Sequence, residues 1–273
     1  MKYRNYLYTL GWQIRKGLKC MHFHFSFFVL SQLVWPLILV TTFYYSYSPL
    51  IEDSGNLTEM AGFGGNLFSY LVPGIIVIYL YLEYVNLGFR LSMDRDYGVL
   101  EPIFLTPVNR VFWLFGTALT VVPSGILASS GFLLSSWLFF RIPMPHPFLL
   151  GGAVLYVLLT SLPWGAMVCA IFIGGRNTRF LYSFFETPAE FLSGARFPLT
   201  ALPTWLSTIS LFYPLSHGIK FLRLFWTNPL PLNDIGSEMI SLTGLSLLYG
   251  FLAYFLFSWA EERGKKNGTL TFT

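Results

Sequence analysis

The chain has 273 residues, of which 54% are hydrophobic and only 11% are charged. A soluble domain carries charge at about 25% of its positions, so this composition excludes an ordinary soluble globular protein. The net charge of +4 does not indicate a nucleic-acid partner. The basic residues are distributed as in a membrane protein, in which they mark the cytoplasmic side. The two cysteines, Cys20 and Cys169, lack the spacing of metal ligands or of a disulfide framework.

The N-terminal third predicts one interfacial helix and two spans. Residues 1–24 mix basic side chains with aromatic and aliphatic ones, which favours an amphipathic helix lying in the membrane interface. The apolar run Phe25–Tyr45 is too long for the hydrophobic region of a cleavable signal and predicts the first span. A loop with only acidic charges follows, and Leu67–Gly88 predicts the second span.

A polar segment, DRDYGVLEPIFLTPVNR, then separates two long apolar runs, from Asp94 to Arg110. Apolar residues recur through it at an interrupted helical period, with acids and Arg95 around them. The pattern predicts a short amphipathic helix on the membrane surface that stops near Pro107. A helix that only anchors the neighbouring spans explains this periodicity equally well.

The middle of the chain predicts two further spans. Val111–Phe140 carries no charge and is longer than a perpendicular crossing requires, so we expect tilt or a kink at Pro123. After a short proline-rich turn, Phe148–Ile173 predicts the fourth span.

The pattern becomes irregular after Phe180. The short run Phe180–Leu192 predicts a fifth span, and the apolar sequence after it is broken by three prolines. Interrupted apolar segments of this kind are typical of half-helices that enter the membrane and turn back, so a re-entrant hairpin is predicted within 193–226. Ile240–Ala260 predicts the last span, before a polar tail over 261–273.

The predicted fold is an all-α polytopic membrane protein. It has six transmembrane helices in one domain, 25–260, with an N-terminal interfacial helix and an outer re-entrant hairpin between spans five and six. Six spans place both termini on one side, together with 13 of the 17 Lys and Arg residues. The positive-inside rule therefore predicts that both termini and the Asp94–Arg110 segment are cytoplasmic.

Two motifs resemble one known family. MDRDYGVLEPIFLTPVNR is similar to the cytoplasmic loop of type-2 ABC exporter permeases, in which an acidic-Arg-acidic, Gly, Leu-Glu, Thr-Pro and Arg pattern precedes the third span. FLSGARFPLTALPTWLSTISLFYPLSHGIKFLR resembles the family's outer re-entrant hairpin. The resemblance covers essentially the whole chain. This sequence has Asp-Arg-Asp where the family often has Glu-Arg-Glu, which shortens the reach of the carboxylates.

The resemblance implies a coupling helix within 91–107 that inserts into a groove on a separate ATPase subunit. The segment would be Asp94–Glu101, and the N-terminal stretch would be an elbow helix. The coupling residues would be Asp94, Arg95, Asp96, Tyr97, Gly98, Glu101 and Arg110. The hairpin residues would be Ser193, Gly194, Phe197, Pro198, Pro203, Trp205 and Pro214.

The sequence contains no G-x-x-x-x-G-K-[ST] motif, so this chain is not expected to bind ATP phosphates or any other cofactor itself. ATP and Mg²⁺ would be bound by the partner ATPase. Six spans are few for an alternating pathway, so the expected assembly includes a second permease copy, identical or related, among lipids of the cytoplasmic membrane. A drug, a lipid, or a glycolipid or polysaccharide substrate fits the sequence.

Three acids are predicted at membrane depth, where ionisable groups are costly and usually face a bundle interior or a water-filled cavity. They are Glu83, Glu186 and Glu190. One hypothesis is a polar lining of the translocation path for a cationic or hydroxyl-rich group. The alternative is structural pairing, of Glu83 with Arg90 and of Glu190 with Arg196 or a partner helix.

Two other functional classes fit the sequence less well. A membrane-embedded enzyme acting on lipid-linked substrates needs a surface cluster of His, Asp or Glu with defined geometry, and the pattern of these residues predicts no catalytic or metal-binding site. A structural membrane protein does not explain polar residues at depth beside a proline-broken hairpin. The aromatic content of 19% indicates interfacial belts and lipid-facing Phe, or alternatively an aromatic-lined channel for sugars.

Overall fold

The computed structural model describes residues 67–106, 109–140, 147–175, 177–195, 199, 202–226 and 230–267, with isolated positions before residue 47. Across these ranges the regular structure is helical, with no β-strand. The helices are, in chain order, α1 (Leu67–Asp96), α2 (Leu100–Leu105), α3 (Arg110–Leu119), α4 (Val121–Phe140), α5 (Pro147–Gly174), α6 (Thr178–Leu192), α7 (Thr204–Leu211), α8 (Pro214–Leu224) and α9 (Leu232–Asn267).

Four helical stretches in the described part of the chain are long and apolar enough to cross a membrane. They are Tyr70–Asp96, Arg110–Leu138, Pro147–Gly174 and Leu232–Glu262. They coincide with the second, third, fourth and last predicted spans, so these predictions are confirmed as long apolar helices. The predicted interfacial helix over 1–24 and most of the first span over 25–45 lie outside the described residues.

The third apolar stretch is interrupted at Thr120, between α3 and α4. The Thr120 hydroxyl donates to the Thr117 carbonyl at 2.6 Å, and the Thr120 N–H donates to the same oxygen at 3.0 Å. Pro123 follows in the first turn of α4, where it cannot donate to the carbonyl of Leu119. The helix is therefore interrupted three residues before Pro123, where the prediction placed a kink.

Helix α6 corresponds to the fifth predicted span. It has 15 residues and is about 22 Å long, which is shorter than the hydrocarbon core of about 30 Å. The segment nevertheless connects opposite ends of α1. The Gly175 carbonyl before α6 accepts from Arg95 near the C-terminus of α1, and the Gly194 carbonyl after α6 accepts from Tyr70 near its N-terminus.

These contacts define two ends of the bundle. We call the end where α1 stops the Tyr97 end, and the end where α1 starts the Arg223 end, because Arg223 of α8 lies against Tyr70 there. Helix α9 begins at the Arg223 end, where Glu238 pairs with His217 of α8. It finishes at the Tyr97 end, where its side chain at Ala260 lies beside Gly174.

Helix α1 is central and packs against α4, α5, α6 and α8. Its closest approach to α5 is at Gly165, where an added Cβ would lie 2.1 Å from the ring of Tyr84. The Tyr84 hydroxyl donates to the Leu158 carbonyl at 3.3 Å. Small residues of this kind let membrane helices approach closely, and the two helices thereby form the centre of the core.

The predicted hairpin segment contains two short helices, α7 and α8, separated by Phe212 and Tyr213. Pro203 immediately precedes α7, and Pro214 is the first residue of α8. Proline is well tolerated at a helix start because its missing N–H has no helical partner there. The prolines that interrupt the apolar pattern therefore set helix boundaries.

The remaining hairpin predictions are distributed around these helices. Ser193 and Gly194 form a buried turn after α6, in which Gly194 has a positive φ of 74°. Trp205 lies in the first turn of α7 and is 64% exposed. Phe197 and Pro198 lie outside the described residues.

Candidate functional site

The charged segment of the sequence is not one helix. Asp94 and Asp96 lie in the last turn of α1, and a three-residue turn separates them from α2, which contains Glu101. The expectation of a single helix over Asp94–Glu101 is therefore wrong. Only the short α2 and the end of α1 provide helix within 91–107.

Gly98 causes the interruption. It has a positive φ of 71°, the left-handed conformation that glycine adopts without steric cost. The Val99 N–H donates to the Asp94 carbonyl at 2.8 Å, and the Gly98 N–H donates to the Arg95 carbonyl at 2.8 Å. This pair of bonds is the Schellman motif that ends many helices.

The turn forms an exposed surface that we call the loop tip, residues Asp96, Tyr97, Gly98 and Val99. Tyr97 is 79% exposed and Val99 is 46% exposed, and 47% of the Asp96 side chain is exposed. The loop tip thus presents a carboxylate, an aromatic ring and an aliphatic side chain at the end of a 30-residue helix. The side chain of Glu101 is outside the described part of the structure.

Arg95 does not belong to that surface, although it was predicted to contact a partner. It is only 6% exposed, and its guanidinium donates to the carbonyls of Ile173 at 2.8 Å and Phe172 at 3.4 Å, and to that of Gly175. These are carbonyls at the C-terminal end of α5, which lack helical partners. A cation there also interacts favourably with the helix dipole.

The buried charge of Arg95 is balanced by its neighbour. Its Nε donates to Asp96 Oδ1 at 2.9 Å, and its Nη2 lies 2.8 Å from the same oxygen. One carboxylate therefore faces the solvent and the buried guanidinium at once. The acidic-Arg-acidic motif divides into an internal residue, Arg95, and an external one, Asp96.

Arg110 also makes an internal contact. It forms an ion pair with Glu261 of α9, and about a quarter of each side chain is exposed. Asn109 caps the start of α3, since its Oδ1 accepts from the N–H groups of Val111 and Phe112. Arg110 therefore connects the start of α3 to the end of α9 at the Tyr97 end.

The predicted membrane acids lie near one another between α1 and α6. Arg90 Nη2 is 3.9 Å from Glu83 Oε2, in agreement with the structural-pairing hypothesis for Glu83. The Tyr182 hydroxyl lies 3.2 Å from Asn86 Oδ1 and 3.4 Å from Glu186 Oε1. We call these five residues the polar cluster.

Glu190 lies one turn beyond Glu186 on α6 and is half-buried. The pairing predicted between Glu190 and Arg196 falls on a residue outside the described part of the chain.

Arg223 has a role that the sequence pattern does not indicate. Its guanidinium lies 3.5 Å from the centroid of the Tyr70 ring. Its Nη2 donates to the carbonyls of Gly194 at 2.9 Å and Ala195 at 3.3 Å, and its Nε donates to the Tyr70 carbonyl at 3.2 Å. The Tyr70 hydroxyl donates to the Gly194 carbonyl at 3.0 Å. Arginine suits such a site because its planar group has five donors and stacks on aromatic rings.

His217 also has a partner that sequence reasoning missed. Its Nδ1 lies 2.7 Å from Glu238 Oε2, and its Nε2 lies 3.0 Å from the Leu211 carbonyl. Among the described residues no group of three His, Cys, Asp or Glu side chains is placed to hold a metal ion. The contact between His217 and Glu238 connects α8 to α9.

The fold and these contacts define a helical membrane protein with an exposed loop tip. No protein-family model matches the chain. Over 166 residues the chain is 25% identical to a Cyanophora paradoxa protein named "Putative transport permease ycf38", covering 60% of this chain and 57% of that protein.

A protein of the same name from Porphyra purpurea is 25% identical over 162 residues, 58% of this chain and 56% of that protein. The chain thus matches somewhat more than half the length of these relatives. The four long apolar helices in the described residues are those of a membrane-embedded protein, and both relatives are named as transport permeases.

Proposed function

We propose that the chain is the permease subunit of an ATP-driven exporter of the type-2 ABC class. It works with a second permease copy and a separate ATPase subunit that binds ATP and Mg²⁺. The substrate is a drug, a lipid, or a glycolipid or polysaccharide, moved outward across the cytoplasmic membrane. The observation that carries the proposal is the loop tip, which is exposed on one side and bound through Arg95 to the helical bundle on the other.

The loop tip has the chemistry of a protein-docking surface. An aromatic side chain that is 79% exposed, Tyr97, fits the aromatic residues that dominate many protein interfaces. Asp96 beside it offers a carboxylate for a basic group on the ATPase. Because the tip continues a 30-residue helix, a force applied there reaches the membrane interior through rigid backbone.

We propose six spans, of which four are the long apolar helices of the described residues. Helices α1, α5 and α9 run from the Arg223 end to the Tyr97 end, and α6 returns between them. With 8 and 11 residues, α7 and α8 are too short to cross, so they form the re-entrant hairpin at the Arg223 end. The basic residues flanking the loop tip place the Tyr97 end in the cytoplasm.

A second permease copy and lipid cover the apolar side chains at the bundle surface. In the most apolar part of the α9 span only 17% of residues are buried, against 78% in α1. Helix α6 exposes Phe180, Phe184 and Phe191 at spacings of four and seven residues, which align them on one face. We propose that this face lies at the interface between the two copies.

The polar cluster and Glu190 contribute to the translocation path. Their carboxylates exceed the positive charge of Arg90, so the cluster favours a cationic or hydroxyl-rich substrate group. Tyr182 and Glu186 are only half-buried, which leaves them accessible from the α6 side. Glu186→Gln with Glu190→Gln is expected to reduce export without reducing dimer assembly.

The first experiment tests the docking surface. The tagged chain is purified from native membranes in nanodiscs, and an ATP-hydrolysing subunit is sought in the wild type and in Asp96→Lys and Tyr97→Ala variants. The matched control is Asp234→Lys, an exposed acid in the first turn of α9 at the opposite end. An ATPase that binds the wild type and the control but not the tip variants supports the proposal. If no ATPase binds the wild type, the proposal fails.

A further inference from the structure

Arginine side chains from other helices bind the chain just before α6 and just after it. Before α6, Arg95 of α1 donates to the carbonyls of Phe172, Ile173 and Gly175. After α6, Arg223 of α8 donates to the carbonyls that follow its last turn. We call these two contact sets the Arg95 clamp and the Arg223 clamp.

The two clamps bind backbone groups that have no helical alternative. Phe172 and Ile173 are among the last carbonyls of α5, which lack intrahelical donors, and Gly194 and Ala195 lie in the turn that follows α6. A guanidinium can satisfy several such oxygens at once because its donors are fixed in one plane. Each arginine therefore fixes the backbone where the chain turns from one helix into the next segment.

Both clamps join α1 to the chain that flanks α6, at Gly175 before the helix and at Gly194 and Ala195 after it. Arg95 belongs to α1, and Arg223 stacks on Tyr70 of α1 while binding its carbonyl. Between them, the ring of Tyr182 lies 5.6 Å from that of Phe89, beside its contact with Asn86. The chain is thus held to α1 on both sides of α6, and α6 itself contacts α1 near its first third.

The clamps differ in their freedom to move. The Arg95 clamp adjoins the exposed loop tip and shares Asp96 with it. At the Arg223 clamp the Gly194 carbonyl accepts from both Arg223 and Tyr70, and an added Cβ at Gly74 would lie 2.9 Å from the Ala195 oxygen. The Arg223 clamp is therefore more tightly packed than the Arg95 clamp.

We propose that Arg95 and Arg223 are positioning residues that make α6 follow α1. A displacement of the loop tip passes through Arg95 to the Gly175 junction, while the Arg223 clamp holds the far end. Helix α6 then pivots about its Gly194 end and moves Tyr182 and Glu186. The transmission step rests on the proposed exporter function; the two clamps do not.

The first arm of the test measures the clamps alone. Amide hydrogen exchange is followed in the full-length protein in nanodiscs, for Arg95→Gln, Arg223→Gln and the control Arg179→Gln, an exposed arginine in the first turn of α6. Loss of charged hydrogen bonds is expected to speed exchange about tenfold at 175–182 for the first variant and at 193–195 for the second. The control is expected to leave both regions unchanged.

The second arm measures transmission. Fluorophores are attached to Val99→Cys at the loop tip or Thr187→Cys on the exposed side of α6, in a chain carrying Cys20→Ser and Cys169→Ala. With the co-purified ATPase, nucleotide is expected to change both signals in the wild type. In Arg95→Gln it is expected to change the tip signal alone, which a merely structural role would not produce.

Arg95→Lys keeps the charge without the planar fork, so intermediate exchange and a partial α6 signal are expected. If Arg95→Gln does not insert into the membrane, Arg95→Lys replaces it in both arms of the test. Unchanged exchange at both junctions, or an α6 signal that follows the tip in Arg95→Gln, overturns the inference. If the wild-type tip does not respond to nucleotide, the exporter proposal fails. The hydrogen-exchange arm then still tests whether the two arginines hold the junctions.

Discussion

Arg95 and Arg223 use the same chemistry at opposite ends of the bundle, but their surroundings differ. Arg95 is paired with Asp96, whose side chain is 47% exposed. Arg223 donates to backbone oxygens and lies 3.5 Å from the Tyr70 ring centroid. A partner that binds Asp96 therefore changes the charge facing Arg95. The Arg223 contacts contain no comparable exposed group.

This difference separates an adjustable junction from a fixed one. Water can solvate the Gly175 carbonyl released by Arg95, because Gly175 is half-buried and Gly174 beside it is exposed. At the Arg223 end the released carbonyls would stay under packed side chains, where an unpaired polar group costs the full desolvation free energy. The variants below test this contrast through the free energy of unfolding in mixed micelles.

Arg223→Ala is expected to have the largest effect, a loss of about 3 kcal/mol, because it leaves three buried carbonyls without a charged donor. Lys220→Ala on the same helix is the control. The free energy is measured by SDS titration of intrinsic fluorescence. Equal losses for the two variants would contradict a fixed junction at this end.

Arg95→Ala is expected to cost about 2 kcal/mol, less than Arg223→Ala because water reaches its acceptors more easily. Arg179→Ala provides the matched exposed arginine. The same titration ranks the two clamps. A loss at Arg95 greater than at Arg223 would reverse the comparison.

Among the described residues, two glycines with positive φ extend the contrast to the backbone. Gly194→Ala is expected to cost about 2 kcal/mol, since left-handed strain adds to a Cβ contact of 2.8 Å with Leu199. Gly98→Ala is expected to cost about 1 kcal/mol from strain alone, because nothing lies within 4 Å of its added Cβ. Thermal midpoints of the two variants should separate accordingly, and identical midpoints would argue against close packing at Gly194.

Tyr70→Phe removes one hydroxyl bond to Gly194 and keeps the ring under Arg223. The expected loss is about 1 kcal/mol, the net value of one hydrogen bond. Tyr97→Phe is the control, since its ring is exposed. No difference between the variants would show that the Tyr70 hydroxyl does not stabilise the clamp.

Asp96→Asn is expected to have the smallest effect on stability, about 0.5 kcal/mol, because its ion pair is partly exposed to solvent. Its stability difference from the wild type should shrink further as salt is raised. Titrations at low and high salt measure this dependence. A large, salt-independent loss would mean that Asp96 acts as a buried residue.

The sequence predicted those features that depend on residues close to one another along the chain. Long apolar runs identified four spans, and the seven-residue spacing of Glu83 and Arg90 placed them on one helix face, where they pair. The helix end at Gly98 carried a local signal that the amphipathic pattern obscured. Proline gave the interruption in the third span, although the break lies at Thr120.

The clamps could not be predicted, because their partners are distant in sequence. Arg95 binds carbonyls 77 to 80 residues away, and backbone oxygens have no residue-type signature. The family resemblance suggested that Arg95 faces an ATPase, whereas the fold turns it inward. His217 and Glu238 are similarly joined only by the packing of α8 on α9.

The long separations also order events during synthesis. When α1 leaves the ribosome, the oxygens that accept from Arg95 do not yet exist, and its guanidinium must stay hydrated at the membrane boundary until α5 is complete. Arg223 is made after both of its acceptor regions, 153 and 29 residues earlier. The Arg223 clamp therefore forms only when α8 arrives, so a chain that stalls before α8 keeps the Tyr97-end clamp and lacks the other.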